Sequence, residues 1–455
     1  AAEGSVMMRD FHLGELCEPL QARLRGGDLT VSGVTTDSRK VAAGDLFVAL
    51  QGEHFDGHDF LANVASAGAV AAVVGRDLDT PLALLQVTDT QRALGHLGAF
   101  NRGLFKSPVV AITGSAGKTT AKNLIAAVLS RRGPVLATEG NLNNEIGVPL
   151  TLLRLTPEHA FAVIEMGACR EGDVAWLCEL ARPNIAVLLN AMPAHLEGFG
   201  SLEGVASAKG EIYTGLEGAG VAVVNADQPW AARWRSRAAG ATVLDYGLEQ
   251  AAAISAHSIQ PRGAAGMTFV VTTPSGEAPV RLQLPGRHNV SNALAAVAVG
   301  LACELSLADI TAALASVEPT AGRGTRVPGL GGSVLIDDTY NANPGSVRAA
   351  IDVLAGCPGR RTLVLGAMLE LGEGSEQLHR DVWAYARERG IERRYAVGSD
   401  LRGAVEKFGG EWFADCDEVA AALRADLGAE DTVLIKGSRG VAMEHLLATL
   451  RETGN

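Results

Sequence analysis

The stretch Thr113-Gly114-Ser115-Ala116-Gly117-Lys118-Thr119-Thr120 constrains this chain more than any other. An apolar run, Pro108 to Thr113, enters it and a helix-favouring run, Ala121 to Ser130, leaves it, so the local reading is strand, glycine turn, helix. Such a turn aims unpaired backbone N–H groups and the positive end of a helix dipole at one point. There Lys118 adds a charge and Thr119 a hydroxyl suited to magnesium. A nucleotide triphosphate, ATP by expectation, fits that point. The loop is shorter than the usual phosphate-loop signature, because Ile112 stands where its first glycine belongs. The plainer alternative is a strand-to-helix turn that binds nothing.

A chain of 455 residues exceeds what one core sustains, and about 150 residues per domain gives roughly three. Hydrophobic content of 47% with 20% charge fits a globular protein in water. The net charge of -12 and the lack of a dense Lys/Arg run exclude nucleic acid as a general partner. An anionic substrate must therefore be held by local donors and metal rather than by the overall field. Six scattered cysteines without CxxC spacing indicate buried reduced thiols rather than zinc or disulfides. Apolar runs such as Ala293 to Cys303 are too short to span a bilayer, and with no charged-then-apolar leader the expectation is a cytoplasmic chain. The opening Ala1 to Val6, ahead of Met7-Met8, reads as an appended remnant.

The expected architecture is α/β in three domains: a small α/β domain over 7–105, a central parallel-sheet ATPase domain over 106–325, and a doubly wound Rossmann-like domain over 326–455. In the first, Asp37, Ser38 and Arg39 directly follow a strand, where they can hold a polar ligand or simply make a turn. In the second, Glu165 closes the strand from Phe161 and is placed to take magnesium as a Walker-B carboxylate does. His195 follows the strand Ile185 to Asn190, and Lys209 sits in an expected helix from Leu202 to Leu216. A carboxylate that caps the next helix, a structural histidine and a solvated lysine are the plain alternatives for Glu165, His195 and Lys209 in turn. From Thr242 to Leu284 an antiparallel excursion is expected. Beyond it Asn289 and Asn292 fall on one helical face, to read a base or ribose, although Asn289 can also be a cap. Arg323, in a glycine-rich hinge, can reach the γ-phosphate. In the third domain the strand ends DDTYNANP, Asp337 to Pro344, and KGSRG, Lys436 to Gly440, should face one crevice.

In their order and spacing, TTDSR, TGSAGKTT, NLNNEIGVPLTLL, EMGA, AHLEGFGS, AKGEIY, GRHNVSNALAA, DDTYNANP and KGSRG resemble the Mur ligase family of ATP-dependent amide-forming enzymes. The resemblance covers nearly the whole chain. It implies an ATP-dependent ligase of peptidoglycan precursor synthesis that activates a carboxylate as an acyl phosphate. The pattern stands nearest the member joining D-alanyl-D-alanine to UDP-N-acetylmuramoyl-tripeptide, since no DNPR-type motif of the preceding member occurs. It further implies two magnesium ions, the first held by Thr119 and Glu165, the second by His195 and a carbamylated Lys209. Asn289, Asn292, Arg323 and Asp338 would contact nucleotide, and Thr35 to Phe60 would receive the uridine diphosphate. Asn341, Asn343, Lys436, Ser438 and Arg439 would meet the dipeptide, in a chain acting as a monomer. One departure is Gly366-Ala367-Met368, where the family's GDM would put a carboxylate. Folylpolyglutamate synthase lacks a domain ahead of its phosphate loop, a GTP switch needs an NKxD motif not found here, and a UDP-sugar-binding protein needs no catalytic set.

Overall fold

Strands and helices alternate along the chain and build three sheets in succession. The computed structural model describes residues 6–216, 220–263 and 265–452. The first sheet runs, in spatial order, Val6–His12, Thr30–Thr35, Asp45–Val48, Ala71–Val74, Ala83–Gln86 and Arg23–Arg25. Its four inner strands are parallel and its two edge strands antiparallel. Val6 pairs with Val34 and so takes part in this sheet, while residues 1–5, the rest of the stretch read as a remnant, lie outside the described residues.

The central sheet has nine strands: Gly276–Leu282, Met267–Thr273, Ile254–Pro261, Thr242–Gly247, Val221–Asn225, Ile185–Leu188, Val109–Thr113, Phe161–Glu165 and Val135–Ala137. The antiparallel excursion starts later than the sequence suggested, because Thr242–Gly247 pairs parallel with Val221–Asn225 and with the start of Ile254–Pro261. The carboxylate of Asp227 accepts the N–H groups of Leu248, Glu249 and Gln250, and so turns the chain back into a further parallel strand. The helix expected from Leu202 to Leu216 is Leu202–Gly210, capped by Ser201, followed by a 3-10 turn at Glu211–Tyr213.

The third sheet runs Thr325–Pro328, Val334–Asp338, Asp431–Lys436, Arg360–Gly366, Arg393–Val397 and Glu411–Phe413, parallel except for its first edge. The chain is thus a three-domain α/β protein. Strand Asp431–Lys436 is inserted beside Val334–Asp338, with Asp338 in register with Lys436, so the two polar strand ends emerge side by side.

Helix Thr90–Leu104 joins the first two cores, and the sequence reading missed it because three glycines interrupt its apolar pattern. Two of them are there for close approach. A Cβ at Gly95 would come within 2.8 Å of Trp176, and one at Gly98 within 2.8 Å of Pro149. Arg92 stacks its guanidinium 4.0 Å from the Trp176 ring centre, and Leu94 and Leu97 share a core with Leu150 and Leu153. Of the six thiols, all free, Cys178, Cys303 and Cys357 are buried, whereas Cys169 is exposed, contrary to expectation.

Candidate functional site

Strand Val109–Thr113 lies mid-sheet, between Ile185–Leu188 and Phe161–Glu165, with Ile112 opposite Glu165 and Thr113 opposite Leu188. The ends of all three strands therefore deliver polar residues to the glycine turn. Ile112 is fully buried in the strand, which explains why no loop glycine stands there. Helix Lys118–Leu129 starts directly after Gly117, whose φ is +82° and whose Cβ position lies 2.8 Å from Asn292 Oδ1, so only glycine fits. The adjacent strand's exit holds the short loop in shape. Asn190 clamps Ala116 by accepting its N–H and donating to its carbonyl, both at 3.0 Å, and the Ser115 hydroxyl accepts the Met192 N–H at 2.9 Å. Thr113 sits behind the loop, donating to the Met166 carbonyl at 2.8 Å.

These residues form one wall of a cleft of ≈ 630 Å³. Gly114, Ser115, Ala116, Gly117, Lys118, Thr119 and Thr120 line it, together with Glu165, His195, Lys209, Asn289, Asn292 and Arg323. Asp338, Asn341, Asn343 and Lys436 complete the facing wall. Glu165 is buried; its carboxylate accepts from the Thr119 hydroxyl at 2.9 Å and from the Asn143 amide at 2.8 Å. Lys118 donates to the Gly114 carbonyl at 2.8 Å. Burial pulls the pKa of Lys118 below the ordinary amine value against the pull of Glu165, with Arg323 adding to the fall.

Lys209 is only 2% exposed, which rules out the solvated alternative. Burial, helped by the charge of Lys118, brings its pKa down to about 7, and its amine lies 5.6 Å from the Phe199 ring centre. His195 precedes the short helix Leu196–Phe199 in a left-handed conformation, and its Nδ1 meets the carboxylate of Glu370 from the third domain. Burial lowers the His195 pKa; Glu370 opposes this, and Lys209 and Lys118 reinforce it. Asn289 and Asn292 share a helical face, as their spacing predicts. Asn292 donates to Asn289 at 3.1 Å and Asn289 to the Pro285 carbonyl at 2.7 Å, while Gly286 takes the cap position.

Across the cleft Arg323 lies 4.0 Å from the Tyr340 ring centre. Asp338 and Lys436 form an ion pair at 2.6 Å, with Lys436 also donating to the Asn341 carbonyl at 2.9 Å. Asn343 donates to the Ser115 carbonyl at 3.3 Å, so the third domain touches the phosphate loop itself. Ser438 is buried behind the wall, between the Leu369 N–H and the Ala342 carbonyl. Arg439 is exposed, 5.2 Å from the Tyr340 ring centre. Asp37, Ser38 and Arg39 are absent from the described residues that line this cleft. They make a turn in which Arg39 donates twice to Asp37 at 2.8 Å, and that pairing holds the carboxyl down to about 2.

Residues 112–300 match the Mur ligase middle domain, residues 322–439 the Mur ligase glutamate ligase domain, and residues 30–135 the Mur ligase family catalytic domain. The chain is 45% identical, over 97% of its length and 98% of the other, to the UDP-N-acetylmuramoyl-tripeptide--D-alanyl-D-alanine ligase of Escherichia coli. The chain belongs to the Mur ligase family. The ligase of the same name from Bacillus subtilis is 32% identical over 97% of this chain and 98% of its own. Among solved structures, MurF from Acinetobacter baumannii superposes with a TM-score of 0.93 at 36% identity, covering 97% of this chain and 99% of that one. MurF ligase from Thermotoga maritima, in complex with ADP, superposes at 0.82 with 29% identity, covering 91% and 96%. In this Mur ligase the residues that sequence reasoning missed are the ones that hold others in place: Asn190, Asn143, Tyr340 and Glu370. Asn143 lay within a quoted motif, whereas nothing local marks Glu370 as the partner of His195.

Proposed function

We propose that the cleft of this chain is where D-alanyl-D-alanine is joined to UDP-N-acetylmuramoyl-tripeptide at the expense of ATP. The chain is an ATP-dependent ligase of peptidoglycan precursor synthesis, and its identity to ligases of that name runs nearly end to end. In this reading 7–105 receives the uridine diphosphate through Asp37, Ser38 and Arg39. Residues 106–325 hold ATP on the phosphate loop with Asn289, Asn292 and Arg323, and 326–455 admits the dipeptide past Asn341 and Asn343. Lys436 is committed to Asp338, and Ser438 to the backbone, so both serve by shaping that wall rather than by free contact. One chain supplies every part of the cleft, which favours a monomer, and its ATP and precursor substrates favour the cytoplasm.

The observation that carries the reading is the Thr119 hydroxyl on the Glu165 carboxylate, next in sequence to Lys118 and lining the same cleft. That donor set suits magnesium, which keeps waters and takes one or two carboxylates alongside substrate phosphates. Accordingly, among the described residues no group of three or more His, Cys, Asp or Glu makes an all-protein cage. Thr119 and Glu165 would hold one ion, and His195 with a carbamate on Lys209 a second. When bound, such ions offset negative charge on phosphate and carboxylate oxygens. The near-neutral amine of Lys209 is suited to attack carbon dioxide: an N–C bond forms, a C=O pair becomes the carboxylate, and the nitrogen releases a proton.

The residues then divide the remaining work. The loop N–H groups and Lys118 cradle the phosphates and favour transfer of the γ-phosphoryl group to the tripeptide carboxylate. Arg323, fixed on Tyr340, adds charge from the hinge. The neutral dipeptide amine attacks the acyl phosphate, the C–N bond forms, and phosphate leaves. Walls from the second and third domains align the amine and exclude water. Inorganic phosphate release is expected to require ATP, magnesium, the UDP-tripeptide and D-alanyl-D-alanine together, and to fall at least about 100-fold in Lys118→Ala. Release with either acceptor omitted, or unchanged in the variant, overturns the reading.

A further inference from the structure

The loop after strand Arg360–Gly366 carries Glu370 out of the third domain and onto His195 of the second. Two bonds make this contact: the Glu370 carboxylate meets His195 Nδ1, and the Glu370 carbonyl accepts the Leu196 N–H at 3.1 Å. Both residues hold left-handed backbones, φ +61° for Glu370 and +52° for His195. Neither is glycine, so each pays for that conformation through its contacts. The loop is also pinned from behind. Buried His379 accepts the Met368 N–H at 2.9 Å and donates to the Ser375 carbonyl at 2.8 Å, while Ser438 accepts the Leu369 N–H at 2.9 Å. A surface carboxylate without a task would not need a loop fixed at Met368, Leu369 and Ser375.

We propose that Glu370 is a positioning residue for the ligation. Its carboxylate accepts a hydrogen bond from the Nδ1–H of His195, fixes that tautomer, and leaves the Nε2 lone pair for the cleft. Because Glu370 belongs to the third domain, His195 is oriented only when that domain is docked, so docking and the completeness of the second ion site become one event. This rests on the reading of His195 as a ligand given above. An imidazole that donates one nitrogen to a carboxylate is held in ring orientation and made more basic at the other.

The test uses the full-length chain with 15N-labelled histidine, first without metal, and assigns His195 by comparison with His195→Gln. The expected signal is a protonated Nδ1 in the parent and in Glu370→Gln, whose amide oxygen still accepts, and its loss in Glu370→Ala. In turnover, Glu370→Ala should lose about 10- to 100-fold in kcat and need more magnesium for half-maximal rate. Its KM for ATP should stay within about two-fold, and Glu370→Gln should recover most of the rate. An unchanged tautomer in Glu370→Ala, or an unchanged kcat and magnesium response, overturns the proposal. If His195→Gln itself keeps the parent magnesium response, the ligand reading fails, and the metal-free tautomer still decides whether Glu370 positions the ring.

Discussion

Lys209 offers a direct test of the electrostatics of the cleft. Its amine is buried beside Lys118, and its pKa falls from 10.5 to about 7. Each pH unit of such a displacement is worth about 1.4 kcal/mol, so keeping the protonated amine in the fold costs on the order of 5 kcal/mol below pH 7. Because the folded pKa lies below the unfolded one, that cost is fully present in acid. It is relieved as pH rises from about 7 towards 10.5, where the unfolded chain still binds the proton and the folded one does not. Lys209→Met keeps the length and apolar stem but carries no proton. It should be more stable than the parent near neutrality, and its advantage should shrink by about 2 kcal/mol over about 1.5 pH units above pH 7. Urea unfolding in nucleotide-free, carbon-dioxide-free buffer measures this. Trp234 is a local probe, since it is buried and its indole donates to Ala206 on the helix that carries Lys209. A stability difference that stays flat with pH would refute the argument, because it would mean the amine titrates alike in both states.

Lys209→Ala should be nearly inactive and partly restored by a small added carboxylate such as formate, assayed by phosphate release; full activity without the additive rules the carbamate out. In the third domain, buried Asp431 accepts from Arg360 at 2.5 and 2.7 Å and from the Gly428 N–H at 2.8 Å. Burial alone would raise its pKa, yet Arg360, Gly428 and Arg393 together hold it below 3.8. Its stabilisation is therefore present above about pH 4 and lost as pH falls through the lowered folded value. Asp431→Asn should lower the urea unfolding free energy at pH 7 by about 3 kcal/mol and flatten that acid limb, and an unaltered urea midpoint would show that the pair contributes nothing.

Local pattern made the phosphate loop legible, because strand, glycine turn and helix are written within one short run and Gly117 has a conformational reason that does not depend on the rest of the chain. The parallel strands Phe161–Glu165 and Ile185–Leu188 were legible for the same reason: strands covered on both faces read as unbroken apolar runs. Helix Thr90–Leu104 was not, since two of its three glycines, Gly95 and Gly98, make sense only against Trp176 and Pro149 of another domain. The first strand, Val6–His12, was missed too, because it is an edge strand whose pairing with Thr30–Thr35 is not visible in either stretch alone.

The sequence by itself determined which chemistry is available: a phosphate cradle, a carboxylate at the next strand end, a histidine, a helical lysine and an arginine at a hinge. Those follow from residue type and short-range spacing. Tertiary structure alone decided how they work together. Lys209 loses its proton near neutrality because folding buries it next to Lys118. Ala116 is clamped by Asn190, 74 residues away, and Ser115 is reached by Asn343, 228 residues away. Burial and through-space charge are properties of the packed chain, and no window along the sequence contains them.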